Sequence, residues 1–225
     1  MDKKQELEKL RAGYTRYIRA FELISIGINL VLSCYLLGAY PLSIWSYIVL
    51  LVMTWLLADI ISGFVHWFAD TFGKVDWPII GNTFIRSFHE HHLDPKSITR
   101  HDWIETNGNN FFIGIPVLLL VLLFENEISA QVVVGICLLN IWTSLTNQFH
   151  KWAHQNQVPQ IVDRLQAWRV ITQKSEHLVH HRYPHDRSYN ITHGRLNPLL
   201  DRIGFFRGLE ILGEKVLRFR NNRHI

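Results

Sequence analysis

The chain has 225 residues, a formal net charge of +4 and long apolar blocks, and this length corresponds to about one domain. Its two cysteines, Cys34 and Cys137, both lie inside apolar blocks, which excludes a disulfide framework and a cysteine-based metal site. The basic residues are spread along the chain without a nucleic-acid-binding motif. We therefore expect a single domain over residues 1–225 that has no nucleic-acid partner.

Four apolar blocks predict helices that cross a membrane. The third block, Phe111 to Phe124, has only 14 uncharged residues, fewer than the roughly 20 that span a bilayer. The distribution of basic residues nevertheless favours a crossing there. The predicted spans are 21–40, 43–69, 110–124 and 128–154, followed by a C-terminal region at 155–225.

Lysine and arginine residues occur in only three segments of the chain. Of the 23 lysines and arginines, 6 lie before the first block, 4 lie between the second and third blocks, and 13 lie from Lys151 onwards. With four crossings these segments share one side of the membrane, as the positive-inside rule expects. The sequence thus predicts an all-α, integral membrane four-helix bundle with both termini cytoplasmic. The membrane would be a bacterial inner membrane, or the endoplasmic reticulum in a eukaryote.

Before the first span, residues 2–19 are predicted to form an amphipathic helix at the membrane interface. The second span should continue as a helix to Asp70. That helix places Asp59, His66 and Asp70 on one face, seven and four residues apart. An aspartate at membrane depth is costly unless it has a partner, so Asp59 is a functional candidate. A polar contact between helices is the alternative interpretation.

The connector from Thr71 to Asn110 is rich in histidine and carboxylate. Its aromatic and aliphatic residues are atypical of disorder, so we expect an ordered, histidine-rich cap on the cytoplasmic face. Its candidate ligands and orienting groups are His89, His91, His92, Asp94, His101, Asp102 and Glu105.

The fourth span ends with Asn147, His150 and His154. The two histidines are four residues apart on one helix face, a spacing able to chelate one metal ion. A short amphipathic helix is expected after Pro159. A basic amphipathic helix is expected from Phe205 to Phe219, lying against the membrane surface.

The stretch from Ser175 to Asp186 contains four histidines in twelve residues. On a helix, His177 shares a face with His180 and His181, and His185 follows. Buried imidazoles need partners for both ring nitrogens, and neutral imidazole is the commonest protein ligand for transition metals. This stretch therefore predicts one side of a metal site.

Every histidine except the terminal His224 falls at or near the predicted cytoplasmic face, which indicates one shared site. Ten or more histidines exceed the four ligands of a structural zinc. They fit two metal ions together with carboxylates that orient the rings. Imidazole suits Fe, Zn, Cu or Ni, so these residues leave the metal open. Haem is disfavoured because its paired axial ligands would face each other within the spans.

A metal pair beside an apolar bundle indicates a lipid substrate. Oxidation of an unactivated C–H bond requires a cofactor, which points to iron and dioxygen. The chain has no glycine-rich dinucleotide fingerprint. The electrons would therefore come from a separate donor protein.

Four motifs resemble those of the plasmanylethanolamine desaturase family (the CarF-type or Kua-type membrane lipid desaturases). They are ADIISGFVHWFADT at 58–71, EHHLDPKSITRHDWIETNGNN at 90–110, TNQFHKWAH at 146–154 and HLVHHRYPH at 177–185. The resemblance implies a non-haem di-iron enzyme that uses dioxygen and two electrons from cytochrome b5 or a ferredoxin-like donor. It would form the vinyl ether of a plasmalogen from an alkyl-ether phospholipid.

The resemblance also carries site residues over, position by position. It implies that the metal ligands are His66, His91, His92, His150, His154, His177, His180 and His181, with His101 and His185 matching further motif positions. Asp70 matches an acidic motif position and would bind metal or orient His66. The resemblance also implies that His89 and His193 do not bind metal. Other candidates for orienting ligands or contacting substrate are Asp59, Asp94, Asp102, Glu105 and Asn147.

Three alternatives remain beside this hypothesis. A plant branch with similar motifs resembles an acyl desaturase acting on phosphatidylglycerol, and a lipid hydroxylase would use the same metals. The run from Ile98 to Gly108 favours the ether-lipid branch. A non-catalytic metal-binding or metal-transporting membrane protein is the alternative from another class. A zinc hydrolase is disfavoured because no His-Glu-x-x-His motif occurs.

Overall fold

The computed structural model describes residues 2–216, and within that range the chain is all-helical, without a β-strand. Short π- and 3-10-helical segments occupy Gly81–Ile85 and Ser97–Thr99. The α-helices are α1 (Lys3–Ala12), α2 (Arg16–Ala39), α3 (Ile44–Phe72), α4 (Arg86–Leu93), α5 (Trp103–Leu123), α6 (Ala130–His154), α7 (Gln160–Ala167), α8 (Lys174–His180), α9 (Asn197–Arg202) and α10 (Phe205–Lys215).

Helices α2, α3, α5 and α6 are long and apolar enough to cross a membrane. They confirm the prediction of an all-α protein with four membrane-spanning helices. Helix α5 begins well before the apolar block that marks it in the sequence, because Asp102 caps it. The Asp102 carboxylate accepts hydrogen bonds from the backbone amides of Ile104 and Glu105, both at 3.0 Å.

Residues 16–58 and 102–148 form one compact unit, here called the bundle unit. It contains α2, α5 and the larger parts of α3 and α6. Large apolar side chains on these helices, such as Val31, Val49 and Leu120, are exposed, which suits helices that face lipid. The buried core of the unit is formed by Leu36, Leu118, Val121, Val133 and Cys137.

A reciprocal amide pair joins α2 to α6 inside the bundle unit. Asn140 Nδ2 donates to Asn29 Oδ1 at 2.8 Å, and Asn29 Nδ2 donates to Asn140 Oδ1 at 3.3 Å. Asn29 Nδ2 also donates to the Phe111 carbonyl of α5 at 2.8 Å. Both asparagines are buried, so these hydrogen bonds satisfy polar groups that lipid could not satisfy.

Within the described part of the chain, residues 2–15, 59–101 and 149–216 form the second compact unit, here called the cap unit. Helix α1 packs on α4 in this unit: Arg11 forms ion pairs with Glu90 and Asp94, and Arg86 donates to the Leu10 carbonyl at 3.3 Å. The expectation of one continuous helix over 2–19 is wrong, because α1 ends at Ala12 and α2 begins at Arg16.

The connector from Thr71 to Asn110 contains more helix than its sequence indicates. Arg86 and Glu90, four residues apart, form an ion pair at 3.0 Å along α4. The helix ends before Asp94 because Pro95 follows. In the C-terminal region, α10 covers the first part of the expected amphipathic helix, whereas Phe219 and His224 lie outside the described residues.

Candidate metal centre

Among the described residues, nine of the ten potential ligands come from four places in the cap unit. Helix α3 contributes two of them one turn apart, α6 contributes two with the same spacing, and α4 ends with an adjacent pair. Helix α8 and the residue that follows it contribute three. In that order they are His66 and Asp70, His150 and His154, His91 and His92, and His177, His180 and His181.

The first set, here called the five-histidine group, is His91, His150, His154, His177 and His181. Their ring nitrogens converge. His91 Nε2 lies 2.9 Å from His181 Nε2 and 3.0 Å from His150 Nε2. His181 Nε2 lies 2.9 Å from His177 Nε2.

The second set, here called the Asp70 group, is His66, Asp70, His92 and His180. The Asp70 Oδ2 atom lies 3.0 Å from His92 Nε2, 3.2 Å from His66 Nε2 and 3.3 Å from His180 Nε2. The group thus combines one carboxylate with three imidazoles. His66 and His180 have fully buried side chains, whereas 21% of the His92 side chain is exposed.

Backbone carbonyls orient two rings of the Asp70 group. His66 Nδ1 donates to the Tyr189 carbonyl at 2.9 Å, and His180 Nδ1 donates to the Arg187 carbonyl at 3.0 Å. A carbonyl only accepts, so each ring carries its hydrogen on Nδ1. Each Nε2 therefore presents a lone pair to the centre of the group, as in known metal sites where the outer nitrogen is hydrogen-bonded.

Burial keeps His91 and His177 of the five-histidine group neutral. Desolvation, together with the neighbouring His150, holds the pKa of both His91 and His177 well below the usual value for histidine. A neutral imidazole has a free lone pair. These rings are therefore ready to bind a metal at physiological pH.

Several polar atoms at the centre have no hydrogen-bond partner, as expected of atoms that bind metal ions. Within the described residues, both Asp70 oxygens, His66 Nε2 and His154 Nε2 are buried without a hydrogen-bond partner. Two ligands placed ~2.1 Å from one ion at a right angle lie ~3 Å apart. The observed nitrogen separations agree with that spacing. Both groups therefore fit a metal ion bound by imidazole, with a carboxylate in the second.

Asp59 lies elsewhere on α3, two turns before His66. Its Oδ1 atom accepts hydrogen bonds from the backbone amides of His193 at 2.8 Å and Gly194 at 2.9 Å. Its Oδ2 atom accepts one from Asn190 Nδ2 at 3.2 Å. Asp59 thus anchors the segment that follows Tyr189, and His193 is buried against it rather than in either ligand group.

Several other candidates make contacts outside the two groups. Asp94 pairs with Arg11 and Arg100, and Asp102 caps α5 and pairs with Arg19. His101 Nε2 lies 3.6 Å from Glu90 Oε1. Glu105 is half-buried on the first turn of α5.

The remaining three candidates are Asn147, His89 and His185. Asn147 Nδ2 donates to Asn109 Oδ1 at 3.2 Å within the bundle unit. His89 Nε2 donates to the Gly73 carbonyl at 3.1 Å. His185 lies near both groups, because its ring nitrogen, His92 and His181 are close enough to share an ion.

Glu90 was not among the candidate residues, although it lies between them. It is buried and accepts from Arg86 at 3.0 Å and from Arg11 at 3.3 Å. This carboxylate fixes α4 directly beside His91 and His92. The sequence indicates this role only through the spacing of Arg86 and Glu90, which are four residues apart in a segment that mixes charged residues with histidines.

Comparison with known proteins gives consistent matches over most of the chain. Residues 55–223 match the lipid desaturase domain. Plasmanylethanolamine desaturase of Myxococcus xanthus is 37% identical over 91% of this chain and 75% of its own length. Plasmanylethanolamine desaturase 1 of Mus musculus is 47% identical over 70% of this chain and 61% of its own length.

A plant relative is more distant. The chloroplastic fatty acid desaturase 4 of Arabidopsis thaliana is 33% identical over 70% of this chain and 49% of its own length. No solved structure matches the chain. The domain match covers the α3, α4, α6 and α8 positions that supply the ligand groups. The chain belongs to the lipid desaturase family.

Proposed function

We propose that the protein is a membrane desaturase that converts a plasmanylethanolamine into a plasmenylethanolamine. The reaction removes two hydrogens from the adjacent carbons next to the ether oxygen of the alkyl chain. Dioxygen accepts four electrons, two from that carbon pair and two from an external donor, and with two protons it becomes two water molecules. Cytochrome b5 or a ferredoxin-like protein would be the donor.

The observation that carries this proposal is the pair of adjoining ligand groups in the cap unit. The five-histidine group and the Asp70 group would each hold one iron ion. When bound, the iron would supply the dioxygen chemistry that no side chain provides. The protein itself turns the Nε2 atoms of His66 and His180 inward through the carbonyls of Tyr189 and Arg187.

The choice of an ether lipid depends on the relatives. The two with 47% and 37% identity are named for plasmanylethanolamine, whereas the plant relative named for fatty acids has 33%. Desaturation of an acyl lipid, as that plant name suggests, is therefore the second candidate function.

The proposed orientation places both termini and the ligand groups on the cytoplasmic side. It is supported by the lysines and arginines, which are absent from the segments between the first and second spans and between the third and fourth. In bacteria this membrane would be the inner membrane, and in eukaryotes the endoplasmic reticulum. Basic groups on that side would also contact anionic lipid headgroups.

Lipid mass spectrometry tests the function directly. Membranes with the protein receive an alkyl-ether phosphatidylethanolamine, a competent electron donor and air. A product lighter by two hydrogens that releases a fatty aldehyde in mild acid supports the proposal. An acid-stable product of the same mass would indicate the acyl-lipid function instead. No lipid product from metal-loaded protein would contradict both.

A matched pair of variants on α8 assigns the chemistry to the ligand groups. His180→Ala should abolish the product, because it removes one ring of the Asp70 group. Leu178→Ala is the control, since Leu178 is on the same helix with 43% of its surface exposed. Equal product from both variants would contradict the ligand role of His180.

A further inference from the structure

A cavity of about 220 Å³ opens beside the Asp70 group in the cap unit. It reaches from the surface to two members of the group, Asp70 and His92. His92 is also the histidine of this group with the most exposed side chain, 21% against 0% for His66 and His180. The cavity thus gives an aqueous solute direct access to the candidate metal centre.

The size and lining of the cavity indicate what uses it. It is smaller than the 300–1,000 Å³ of pockets for drug-sized ligands, but it has room for about seven water molecules at ~30 Å³ each. The lining combines a carboxylate, Glu6, and the imidazoles of His89 and His185 with the side chains of Leu93, Tyr183 and Pro184. Carboxylate and imidazole are ligands of divalent transition metals. The polar part of this lining therefore suits a partly hydrated metal ion.

Helix α1 positions Glu6 at this opening. Leu10, one turn after Glu6, is buried, and Arg11 ties the helix to α4 through Glu90 at 3.3 Å and Asp94 at 3.0 Å. Residues four apart share a helix face, so docking of Leu10 turns Glu6 toward the cap. Glu6 is half-buried, whereas Glu8 on the same helix is exposed.

A third set of potential ligands lies at the inner end of the route. His92, His181 and His185 are close enough to hold one ion, and all three are partly exposed. His185 Nδ1 donates to the His180 carbonyl at 3.0 Å, which leaves its Nε2 lone pair available. His92 belongs to the Asp70 group and His181 to the five-histidine group. An ion held by this trio would be adjacent to both.

We propose that the cavity is the access route by which divalent metal ions reach the two ligand groups. Glu6 attracts the cation to the opening, and His185 holds it transiently together with His92 and His181. The proposal rests on the metal-binding role of the two groups in the proposed function. It adds a loading step and assigns Glu6 and His185 to it.

Charge reversal on α1 tests the role of Glu6. Purified protein is stripped with a chelator and mixed anaerobically with Co²⁺, whose binding is followed by visible absorbance in a stopped-flow instrument. Glu6→Lys should slow binding about tenfold at low salt, because steering by charge acts on the association rate, while the final cobalt content equals that of the parent. Glu8→Lys makes the same charge change outside the cavity and should load at the parental rate.

Three further measurements sharpen the test. Glu6→Gln, which keeps the size of the side chain, should slow loading less than Glu6→Lys. The difference in loading rate between the Glu6 variants and the parent should decrease at high ionic strength, where the charge is screened. His185→Ala should slow loading while the final cobalt content stays at the parental value.

Other outcomes would contradict the proposed access route or the role of His185 in it. Parental loading rates in Glu6→Lys, or equal slowing in Glu8→Lys, would overturn the route. A reduced final cobalt content in His185→Ala would make His185 a permanent ligand instead. The loading experiment uses metal alone and no lipid. The proposed route can therefore be contradicted while protein that is fully loaded with metal still desaturates lipid. Conversely, normal loading without a lipid product would contradict the proposed function and leave the route intact.

Discussion

Asp59 contacts both the backbone and the side chain of His193. Asp59 Oδ1 accepts the His193 amide hydrogen at 2.8 Å, and Asp59 Oδ2 lies 3.2 Å from His193 Nδ1. Both residues are fully buried. The segment held in this way begins just after Tyr189, whose carbonyl orients His66. The aspartate in the middle of α3 therefore acts on the metal centre through the backbone.

Replacing Asp59 should destabilise the cap unit. Asp59→Leu leaves the amides of His193 and Gly194 buried without an acceptor, at a cost of about 1–3 kcal/mol each. Asp59→Asn keeps an oxygen for both amides and should cost less. Thermal unfolding of the purified protein, with metal content measured in parallel, checks this order. A leucine variant as stable as the parent would show that the anchor is unimportant.

Gly63 should not tolerate a side chain. A methyl group there would overlap Oδ1 of Asn190 and press on Phe206. Gly63→Ala should therefore displace Asn190 from Asp59 and lower the melting temperature. Gly27→Ala in α2 is the matched control, because no atom lies within 4 Å of the added methyl. That variant should be neutral or gain up to about 1 kcal/mol from helix propensity. Equal melting of the two variants would contradict the predicted overlap.

The two ligand groups should lose metal separately. His154→Ala removes a ring from the five-histidine group, and His66→Ala removes one from the Asp70 group. Each variant should retain about half of the parental metal, because an intact group remains; elemental analysis of purified protein measures this. Full metal content in either variant would exclude that residue as a ligand. Leu178→Ala, with an exposed side chain, should keep the parental content.

Glu90 should contribute far more to the stability of the protein than its partner Arg11. The side chains of Glu90 and Arg86 are 2% and 4% exposed, so Glu90→Ala leaves a buried guanidinium without its carboxylate, at about 3–5 kcal/mol. The Arg11 side chain is 44% exposed, and Arg11→Ala should cost less than about 1 kcal/mol. Chemical unfolding in detergent micelles measures both. Similar losses of unfolding free energy in the two variants would contradict this argument from the difference in burial.

The amide pair of the bundle unit should show energetic coupling. Single replacements Asn29→Ala and Asn140→Ala each remove one partner, and the double replacement removes the whole pair. A double-mutant cycle on reversible unfolding in micelles should give a coupling of about 1 kcal/mol, typical of hydrogen bonds between membrane helices. Additive single effects would show that the pair contributes no stability of its own.

Local features of this fold could be predicted from the sequence. Membrane spans follow from apolar length, and pairs such as His66 with Asp70 follow from the four-residue spacing of a helix face. These signals reside within one element and need no knowledge of its neighbours. The start of α5 was less visible, because its first turns are polar and depend on the Asp102 cap.

The arrangement of the centre could not be predicted in the same way. Which histidine belongs with which depends on how segments far apart in the chain pack, so His91 and His92 gave no sign of joining different groups. The carbonyls of Tyr189 and Arg187 orient rings, yet every residue has a carbonyl and none stands out in a sequence. The metal-binding role of the individual histidines stays a prediction until the metal content of the variants is known.

The division of neighbouring residues between the two groups links the groups mechanically. His91 and His92 are joined by one peptide unit, which holds their Cα atoms about 3.8 Å apart, and α8 places His177 and His180 in opposite groups in the same manner. The distance between the two centres is thereby set by covalent and helical geometry. Occupation of one centre would stiffen both helices and lower the entropic cost of filling the other. The ion that remains in a variant lacking one group should therefore bind more weakly than in the parent, although its intact group still holds it.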